Sequence, residues 1–364
     1  MGQSTIEASS HPAGKKRPRR WLKWLRRVIV VLVLLAVVLV FGVAPIFLAR
    51  LITHARTRPN DQTLQILAQT PATYGVEYQT ISFRTSDGIN ISGWYLPSHG
   101  KAVTIIYSHG LFRSRREVLE RACQLWKLGY GALLYDARNH GESGHSLTTV
   151  GYDERKDVEA AVSYLVDTVH TTDRIALLGV SMGAAADLLA AAETPNVAAV
   201  ISDSSFLSFD DTVVHHLKLF FHLPAFPLAY ELEFLIASDG KFEASKLSPV
   251  DAVKAMGSRP ILFIGGAHDP RMPPAVAERL YKASSSPESS ILIVDGPGSE
   301  RHGHSFFVNP ALYVETVSRF LDRVLPATPA NITPVTMAPI KAPINMMPVM
   351  RESGSSAGSK SGSE

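Results

Sequence analysis

The sequence predicts an α/β fold, a mostly parallel sheet covered by helices, and three observations support this prediction. Short apolar runs of strand length alternate with helical patterns between residues 74 and 325. A Gly-x-Ser-x-Gly turn stands between one such run and a stretch of strong helix formers. The 364 residues are 46% hydrophobic, which is ample for a large core. Because strands that alternate with helices pair in parallel, we expect helices on both faces of the sheet.

Eight apolar runs are candidate strands, and a turn at Ser86-Asp87-Gly88 predicts a hairpin between the first two. The runs are residues 76–84, 89–96, 103–107, 132–135, 175–178, 197–201, 261–264 and 291–294. Helical patterns separate most of them, at residues 115–128, 153–169, 184–193, 275–283 and 312–324. We therefore expect an eight-stranded sheet within one domain over residues 74–325.

One long interval, residues 204–254, interrupts this alternation. A connection of that length normally has its own structure and often forms a lid. The interval is rich in aromatic side chains, namely Phe206, Phe209, Phe220, Phe221, Phe226, Tyr230, Phe234 and Phe242. We expect a helical lid insertion whose aromatic side chains line a substrate pocket; an ordinary insertion with core aromatics is the alternative.

The N-terminal part predicts a membrane helix. Residues 28–49 are 22 consecutive residues without a charged or strongly polar side chain. As a helix they span about 33 Å, enough for a hydrocarbon core of about 30 Å. A cleaved signal peptide is the alternative, but its apolar region usually has about 7–15 residues. We expect an uncleaved, single-pass transmembrane signal anchor.

Charge on either side of the span predicts its orientation. Eight Lys and Arg side chains precede it, and three follow it within residues 50–58. The excess of positive charge predicts that residues 1–27 form a basic cytoplasmic tail and that the domain lies on the extracytoplasmic side. A basic run beside an apolar span favours anionic lipid as its partner over nucleic acid.

The remainder of the chain offers no footprint for nucleic acid. Residues 1–61 hold 11 basic and 2 acidic side chains, a net charge of +9, which leaves −6 for the rest of a chain whose total is +3. Residues 50–73 are expected to form a linker, and residues 326–364, rich in Pro, Ser and Gly, a disordered tail. The single cysteine, Cys123, excludes an intrachain disulfide and a metal–thiolate cluster. The sequence does not indicate an oligomeric state.

The Gly-x-Ser-x-Gly turn predicts a nucleophile at Ser181. A serine on a sharp strand-to-helix turn is held in a strained backbone conformation with its hydroxyl exposed. Gly179 and Gly183 are needed there because side chains at either position would clash across the crossing. A histidine base can then reach an otherwise weak nucleophile.

A serine nucleophile needs a base and a group that orients the base, and both follow predicted strands. Asp269 comes just after the run 261–264, where its carboxylate can accept the imidazole N–H and fix the tautomer. His302 and His304 follow the run 291–294 and compete for the role of general base. The loop before the last helix suits either histidine.

The predicted oxyanion hole uses two backbone amides. The turn after the run 103–107 contains Leu111. The backbone N–H of Leu111 and that of Met182 can together bind the oxyanion of a tetrahedral intermediate. His109, in the same turn, is expected to support it rather than act as a second base. The polar loop 136–143 is interpreted as structural.

These motifs resemble the α/β-hydrolase family of serine hydrolases. The matching elements run in the family's order: Ser108-His109-Gly110-Leu111, the Asp136-x-Arg138-x-His140-Gly141-x-Ser143 block, the Ser181 turn, Asp269-Pro270 and the His302 region. The pattern is similar to membrane-anchored members related to the prolyl-oligopeptidase group. In those proteins a His-x-x-Ser-Tyr/Phe segment precedes Asn/Asp-Pro, and residues 302–313 fit that register with His302 as base. Asn139 departs from the family's usual glycine.

The resemblance implies an α/β-hydrolase fold and serine hydrolysis. We expect Ser181, Asp269 and His302 to cleave a carboxylic ester-like, lipid-like or other small acyl substrate through an acyl-enzyme, with no metal or organic cofactor. Peptide and thioester substrates are open alternatives, as is a catalytically silent, membrane-anchored interaction module.

Overall fold

The structure is a computed structural model that describes residues 20–57 and 69–326. Most of the expected basic tail, the middle of the linker and residues 327–364 of the expected tail lie outside the described residues.

An apolar helix begins the described chain. Helix α1 (Arg20–Val38) continues through a π-helical turn (Leu39–Val43) into α2 (Ala44–Thr53). The combined 34 residues include an 18-residue window of mean hydropathy 3.2 that is only 6% buried. Pro45 stands just after the π-helical turn, where its missing N–H removes one backbone hydrogen bond from the continuous helix. The helix is long and apolar enough to cross a membrane, and it includes the predicted span 28–49.

The described residues after it form one eight-stranded sheet. Its strands are β1 (Gln79–Arg84), β2 (Asn90–Leu96), β3 (Val103–Ser108), β4 (Gly131–Tyr135), β5 (Arg174–Val180), β6 (Val197–Asp203), β7 (Ile261–Gly266) and β8 (Ser290–Val294). They lie in the order β1-β2-β4-β3-β5-β6-β7-β8. β1 pairs antiparallel with β2, and β2 with β4, whereas the other pairs are parallel. The predicted mostly parallel sheet is therefore confirmed.

Helices cover both faces of the sheet. On one face lie α4 (Glu154–Ser163), α5 (Met182–Glu193), α8 (Pro249–Ala255) and α9 (Pro274–Ala283), and on the other α3 (Leu119–Trp126) and α11 (Pro310–Val324). Side chains alternate along each strand, so that Ile106 packs into one core cluster and Ile105 into the other. Because both faces are covered, β3 is buried at every position and reads as a continuous apolar run.

The predicted helix over residues 115–128 is shorter than expected. Its first turn, Arg115–Val118, is a 3-10 turn, and α3 starts only at Leu119. The backbone N–H of Arg115 donates to the Asp136 carboxylate at 2.8 Å, which ties this turn to the end of β4. A tertiary contact thus sets the start of the helix, where the local sequence alone favours a longer one.

The interval 204–254 is helical, and it begins with a pair of helices, α6 (Phe209–Phe221) and α7 (Leu228–Gly240), that pack on each other. Its aromatic side chains do not line one pocket as expected. Phe206, Phe209 and Phe242 are buried in the core, whereas Phe220, Phe221, Phe226, Tyr230 and Phe234 are exposed on the surface. One face of α7 packs on the domain and on α2, so the aromatic side chains on its opposite face are left exposed to solvent.

Candidate active site

Ser181 lies on a strained turn between β5 and α5. Its backbone has φ +54° and ψ −115°, in the half of backbone space that non-glycine residues rarely adopt. The Ser181 N–H donates to the Asp203 carbonyl at 2.9 Å, and the Ser181 carbonyl accepts from the Ala185 N–H at 3.0 Å. These bonds hold the strained conformation and leave the side chain at the carboxyl edge of the sheet.

The two glycines of the turn are required by close approach. A Cβ atom at Gly179 would lie 2.5 Å from the Ala184 nitrogen. A Cβ at Gly183 would lie 2.7 Å from the His109 carbonyl oxygen and closer still to that of Ser108. The helix after Ser181 therefore packs directly against the strand before it and against the turn after β3, as the sequence predicts.

A chain of two short hydrogen bonds joins Ser181, His302 and Asp269. His302 Nε2 lies 2.7 Å from Ser181 Oγ, and its Nδ1 lies 2.7 Å from Asp269 Oδ2. The other carboxylate oxygen of Asp269 accepts from the backbone N–H groups of Arg271 and Met272, at 2.8 and 3.1 Å. The buried carboxylate is thus fixed on both oxygens, and it can orient His302 and stabilise a positive charge on the imidazole.

His304 stands outside this chain. It precedes the short helix α10 (Ser305–Val308), and its ring packs against that of Phe307 with centroids 5.3 Å apart. Burial is the main cause that lowers the pKa of His304, and the nearby Arg301 guanidinium adds to it. Of the two candidate bases, the structure brings only His302 to Ser181 and Asp269.

The amides of Leu111 and Met182 are available at this edge. Gly110 packs so close that a Cβ on it would lie 3.6 Å from Ser181 Cβ, which places the Leu111 turn beside the serine. Met182 is the first residue of α5, where a backbone N–H has no partner within the helix. Among the described residues, neither N–H donates to another protein group. Two free donors beside a serine hydroxyl suit the binding of an oxyanion.

Buried histidines hold the turn that carries Leu111. His109 Nε2 accepts from the Ala137 N–H at 2.9 Å, and its Nδ1 lies 2.8 Å from the Gly110 carbonyl. His140 Nε2 accepts from the Phe112 N–H at 3.2 Å. Burial, with the neighbouring His140, lowers the pKa of His109 to about 3, so its ring is neutral and both nitrogens are used. His109 therefore supports the turn.

Glu117 is a support that sequence reasoning missed. Glu117 lies in the 3-10 turn Arg115–Val118, and its carboxylate accepts a hydrogen bond from the Gly110 N–H at 2.7 Å. A Glu at the start of a helix carries no sequence signal for this role, because the contact depends on how the turn folds back.

The loop after β4 is structural, as the sequence indicates. The buried Asp136 carboxylate accepts from the backbone N–H groups of Arg115 and Glu142, both at 2.8 Å. Asn139 has φ +64°, a left-handed conformation that glycine adopts easily and asparagine tolerates. Its side chain donates to the Ala55 carbonyl at 2.8 Å, a bond that glycine could not make.

A buried ion pair behind Ser181 also escaped sequence reasoning. Arg121 and Asp203 are both fully buried, with Nη1 and Oδ2 3.1 Å apart. Tyr313 donates to the same carboxylate oxygen at 3.2 Å. The guanidinium lies over the Phe306 ring, 5.1 Å from its centroid. Because the Asp203 carbonyl holds the Ser181 N–H, this cluster positions the strained turn.

Within residues 20–57 and 69–326, no group of three or more His, Cys, Asp or Glu side chains is arranged to hold a metal ion. The arrangement at the carboxyl edge of the sheet, a hydroxyl beside an imidazole and two free backbone N–H groups, is suited to nucleophilic attack by the hydroxyl.

Comparison with known proteins finds relatives of this chain. The model of the family described as serine aminopeptidase, S33, matches residues 99–235. The Bacillus subtilis protein YqkD is 30% identical over 243 residues, which cover 66% of this chain and 78% of YqkD. The α/β-hydrolase domain-containing protein WAV2 of Arabidopsis thaliana is 25% identical, over 71% of this chain and 82% of WAV2.

Among solved structures, the Pyrococcus furiosus esterase Pf2001 is similar, with a TM-score of 0.58 and 26% identity. The match covers 70% of this chain and 94% of the esterase.

Proposed function

Because this chain belongs to the α/β-hydrolase family, we propose that it is a serine hydrolase that cleaves carboxylic ester-like substrates through an acyl-enzyme. The observation that carries the proposal is the hydrogen-bonded chain from Ser181 through His302 to Asp269, with both bonds at 2.7 Å. Its starting atom lies on a strained strand-to-helix turn, where nucleophilic serines of this fold stand.

The first half of the reaction forms the acyl-enzyme. Ser181 Oγ attacks the substrate carbonyl carbon while His302 Nε2 takes the hydroxyl proton. The carbonyl oxygen becomes an oxyanion, which the N–H groups of Leu111 and Met182 bind. As the tetrahedral intermediate collapses, His302 returns the proton to the departing alkoxide, and the acyl group stays on Ser181. Asp269 keeps the imidazole in the tautomer that has Nε2 free to accept.

The second half releases the acid. A water molecule gives its proton to His302 and attacks the acyl carbonyl, and the same two amides bind the second oxyanion. His302 then protonates Ser181 Oγ as the carbon–oxygen bond breaks, which restores the enzyme. No step requires a metal or an organic cofactor.

Two observations bear on the leaving group. Similarity to the esterase Pf2001 supports an ester as the substrate of this chain. The matched family model is described as a serine aminopeptidase, which supports a peptide as the second candidate substrate. Matched p-nitrophenyl esters and aminoacyl p-nitroanilides separate the two. We expect the esters to be hydrolysed faster than the anilides. Faster cleavage of the anilides would indicate that the protein is a peptidase and would contradict the ester as substrate.

We propose that the helix Arg20–Thr53 anchors the enzyme in a membrane, with residues 1–27 in the cytoplasm and the domain on the extracytoplasmic side. The support is the excess of eight basic side chains before the span over three after it. Protease added to intact cells should digest the domain and spare an N-terminal epitope. Full protection of the domain from protease would contradict this orientation and would place the domain on the cytoplasmic side.

The direct test of catalysis uses the full chain in detergent micelles with p-nitrophenyl esters of graded chain length. We expect Ser181→Ala to abolish hydrolysis and Ser163→Ala, an exposed serine of α4, to leave it unchanged. The chain-length profile reports the size of the acyl pocket. A Ser181→Ala variant that keeps full activity would contradict the proposal, and a folded enzyme inert to every acyl substrate would favour the interaction module.

A further inference from the structure

The tip of the α6–α7 pair is uncharged, aromatic and exposed. Residues 219–230 contain no Asp, Glu, Lys or Arg. Within them, Phe220, Phe226 and Tyr230 are 57%, 76% and 64% exposed. A contiguous exposed apolar patch of this kind marks a site of interaction with another molecule or with a membrane.

The aromatic patch continues along the outward face of α7. Tyr230 and Phe234 are four residues apart in α7, a spacing that places their side chains on one face of the helix, and Phe226 lies just before the helix begins. Phe234 is 69% exposed, and the rings of Phe226 and Tyr230 contact each other with centroids 6.3 Å apart. The opposite face of α7, with Leu228, Leu232 and Ile236 among its residues, is buried. Packing within the domain therefore leaves this aromatic row uncovered.

The last part of the apolar helix, α2, lies beside α7. Helix α2 packs against α7, and the residues that α2 buries, Pro45, Ala49 and Thr53, stand at four-residue steps on one face. At the far end, the Thr53 hydroxyl donates to the Asp239 carboxylate, near the end of α7. Pro45 and Ala49 belong to the predicted span 28–49, so the end of the span is part of the helix that packs on α7. The helix that carries the aromatic row therefore packs beside the C-terminal part of the apolar helix.

Hydrogen bonds fix the end of the membrane helix to the edge of the sheet that carries Ser181. The Thr53 carbonyl accepts from the Thr148 N–H at 2.7 Å, and the Ala55 carbonyl accepts from the Asn139 side chain at 2.8 Å. Asn139 and Thr148 belong to the segment that follows β4 at this edge. The apolar helix therefore joins the domain at the edge of the sheet that carries the active site.

We propose that the aromatic tip, residues 219–230 together with Phe234, inserts into the outer-leaflet interface beside the transmembrane helix. The bilayer is the occupant that this surface fits, because the helix that carries the aromatic row packs against the apolar helix and because aromatic side chains favour the headgroup region. The inference rests on the proposed anchoring and narrows the proposed substrate to an ester whose acyl chain is embedded in the same leaflet.

The test places an environment-sensitive NBD label on the tip of the full chain. In a Cys123→Ala background, Phe226→Cys carries the label, and Leu128→Cys carries it in the matched control. Leu128 is 46% exposed in the turn before β4, at the opposite edge of the sheet. Both proteins are reconstituted into phosphatidylcholine nanodiscs with and without doxyl-labelled phosphatidylcholine, and aqueous iodide serves as the second quencher.

We expect doxyl lipid to quench the label at residue 226 about threefold more than the label at residue 128, with iodide showing the reverse order. Equal quenching at the two sites by both quenchers would overturn the proposal. Protection from iodide in lipid-free micelles that grows with protein concentration would assign the patch to a second copy of the chain instead. The fluorescence readout does not depend on catalysis, so its failure and that of the hydrolase proposal are distinguishable.

Activity gives the second readout. In the triple variant Phe226→Ser, Tyr230→Ser, Phe234→Ser, hydrolysis of a soluble short-chain ester in micelles should stay within about twofold, because these side chains touch none of the reacting groups. Hydrolysis of an ester lipid in nanodiscs should fall about tenfold, since the active-site edge loses its contact with the leaflet. Unchanged hydrolysis of the lipid would contradict the docking of this tip.

Discussion

At the scale of single residues, the choice between the two histidines has the clearest consequence. His302 bridges Ser181 and Asp269, whereas His304 packs on Phe307 and stands apart from them. On the proposed mechanism, His302→Ala should therefore lower kcat/KM by about 10⁴-fold or more, as loss of the base does in serine hydrolases. His304→Ala should change it by less than about tenfold. Steady-state hydrolysis of one p-nitrophenyl ester by both variants measures the ratio.

Both variants should unfold at nearly the wild-type temperature, because each site is a partly buried polar loop. A His304→Ala variant that loses as much activity as His302→Ala, with its fold intact, would show that the base has been misassigned.

Sequence reasoning found these residues because each one follows a strongly apolar run. Ser181, Asp269 and His302 come after β5, β7 and β8, whose carboxyl ends meet at one edge of a parallel sheet. Glu117 and Arg121 escaped it because they lie on a helix and act through contacts that only the tertiary fold creates. The Arg121–Asp203 pair joins residues 82 positions apart, and neither carries a local pattern that names its partner.

At the scale of elements, the turn after β3 should make stability depend on pH. Burial lowers the pKa of His109 to about 3, and it also lowers that of His140. A histidine whose folded pKa lies below its unfolded value of about 6.5 contributes stability fully above that pH. The contribution falls as the pH drops, by at most about 1.4 kcal/mol per pH unit for each histidine, because the unfolded chain binds the proton first.

Urea unfolding between pH 4 and pH 7 measures this slope. His109→Gln, which removes one titrating ring, should flatten it, and His145→Gln, at an exposed position, should leave it as in the wild type. Identical slopes for wild type and His109→Gln would contradict the burial of a neutral His109.

The buried pair behind Ser181 should stabilise α3 against the sheet and the serine turn. Arg121→Met leaves the Asp203 carboxylate buried without its cation, which should destabilise the fold by about 3–5 kcal/mol. Arg319→Met breaks an exposed pair with Glu315 and should cost no more than about 1 kcal/mol. Thermal unfolding of the two variants gives the comparison. Equal losses of stability would show that Asp203 does not depend on Arg121.

For the helices α6 and α7, the sequence predicts the helical insertion but not which of its aromatic side chains are exposed. The sequence indicates a helical insertion rich in aromatic residues, and the helices are present. The face of α7 that packs on the domain and on α2 decides which of its aromatic side chains are exposed. The contact between α2 and α7 joins residues nearly 200 positions apart in the sequence. The Thr53–Asp239 bond spans 186 positions, beyond the reach of any local pattern.

At the scale of the whole molecule, the C-terminal end of the apolar N-terminal helix packs on the domain. Residues 53–57 bond to the loops near the active site; for example, the Thr57 hydroxyl donates to the Arg113 carbonyl at 2.6 Å. Removal of residues 1–57 should uncover the buried face of α7 and leave the Asn139 side chain without its acceptor. We expect the shortened chain to unfold at a lower temperature than the full chain and to aggregate.

Hydrogen exchange of the full chain and of the shortened chain, both in the same detergent, locates this effect. Loss of protection should be concentrated in α7 and in the loop after β4, while β5 and β6, at the centre of the sheet, stay protected. Equal protection of α7 in both chains would show that the helix α2 does not stabilise the domain.

The central claim is that Ser181 is a nucleophile activated by His302. The measurement that tests it most directly is reaction of the folded full chain with a fluorophosphonate, followed by mass spectrometry of the peptide that contains Ser181. We expect a covalent adduct on Ser181 that forms far more slowly in His302→Ala and disappears in Ser181→Ala. No adduct on the folded protein, or an adduct that survives Ser181→Ala, would contradict it.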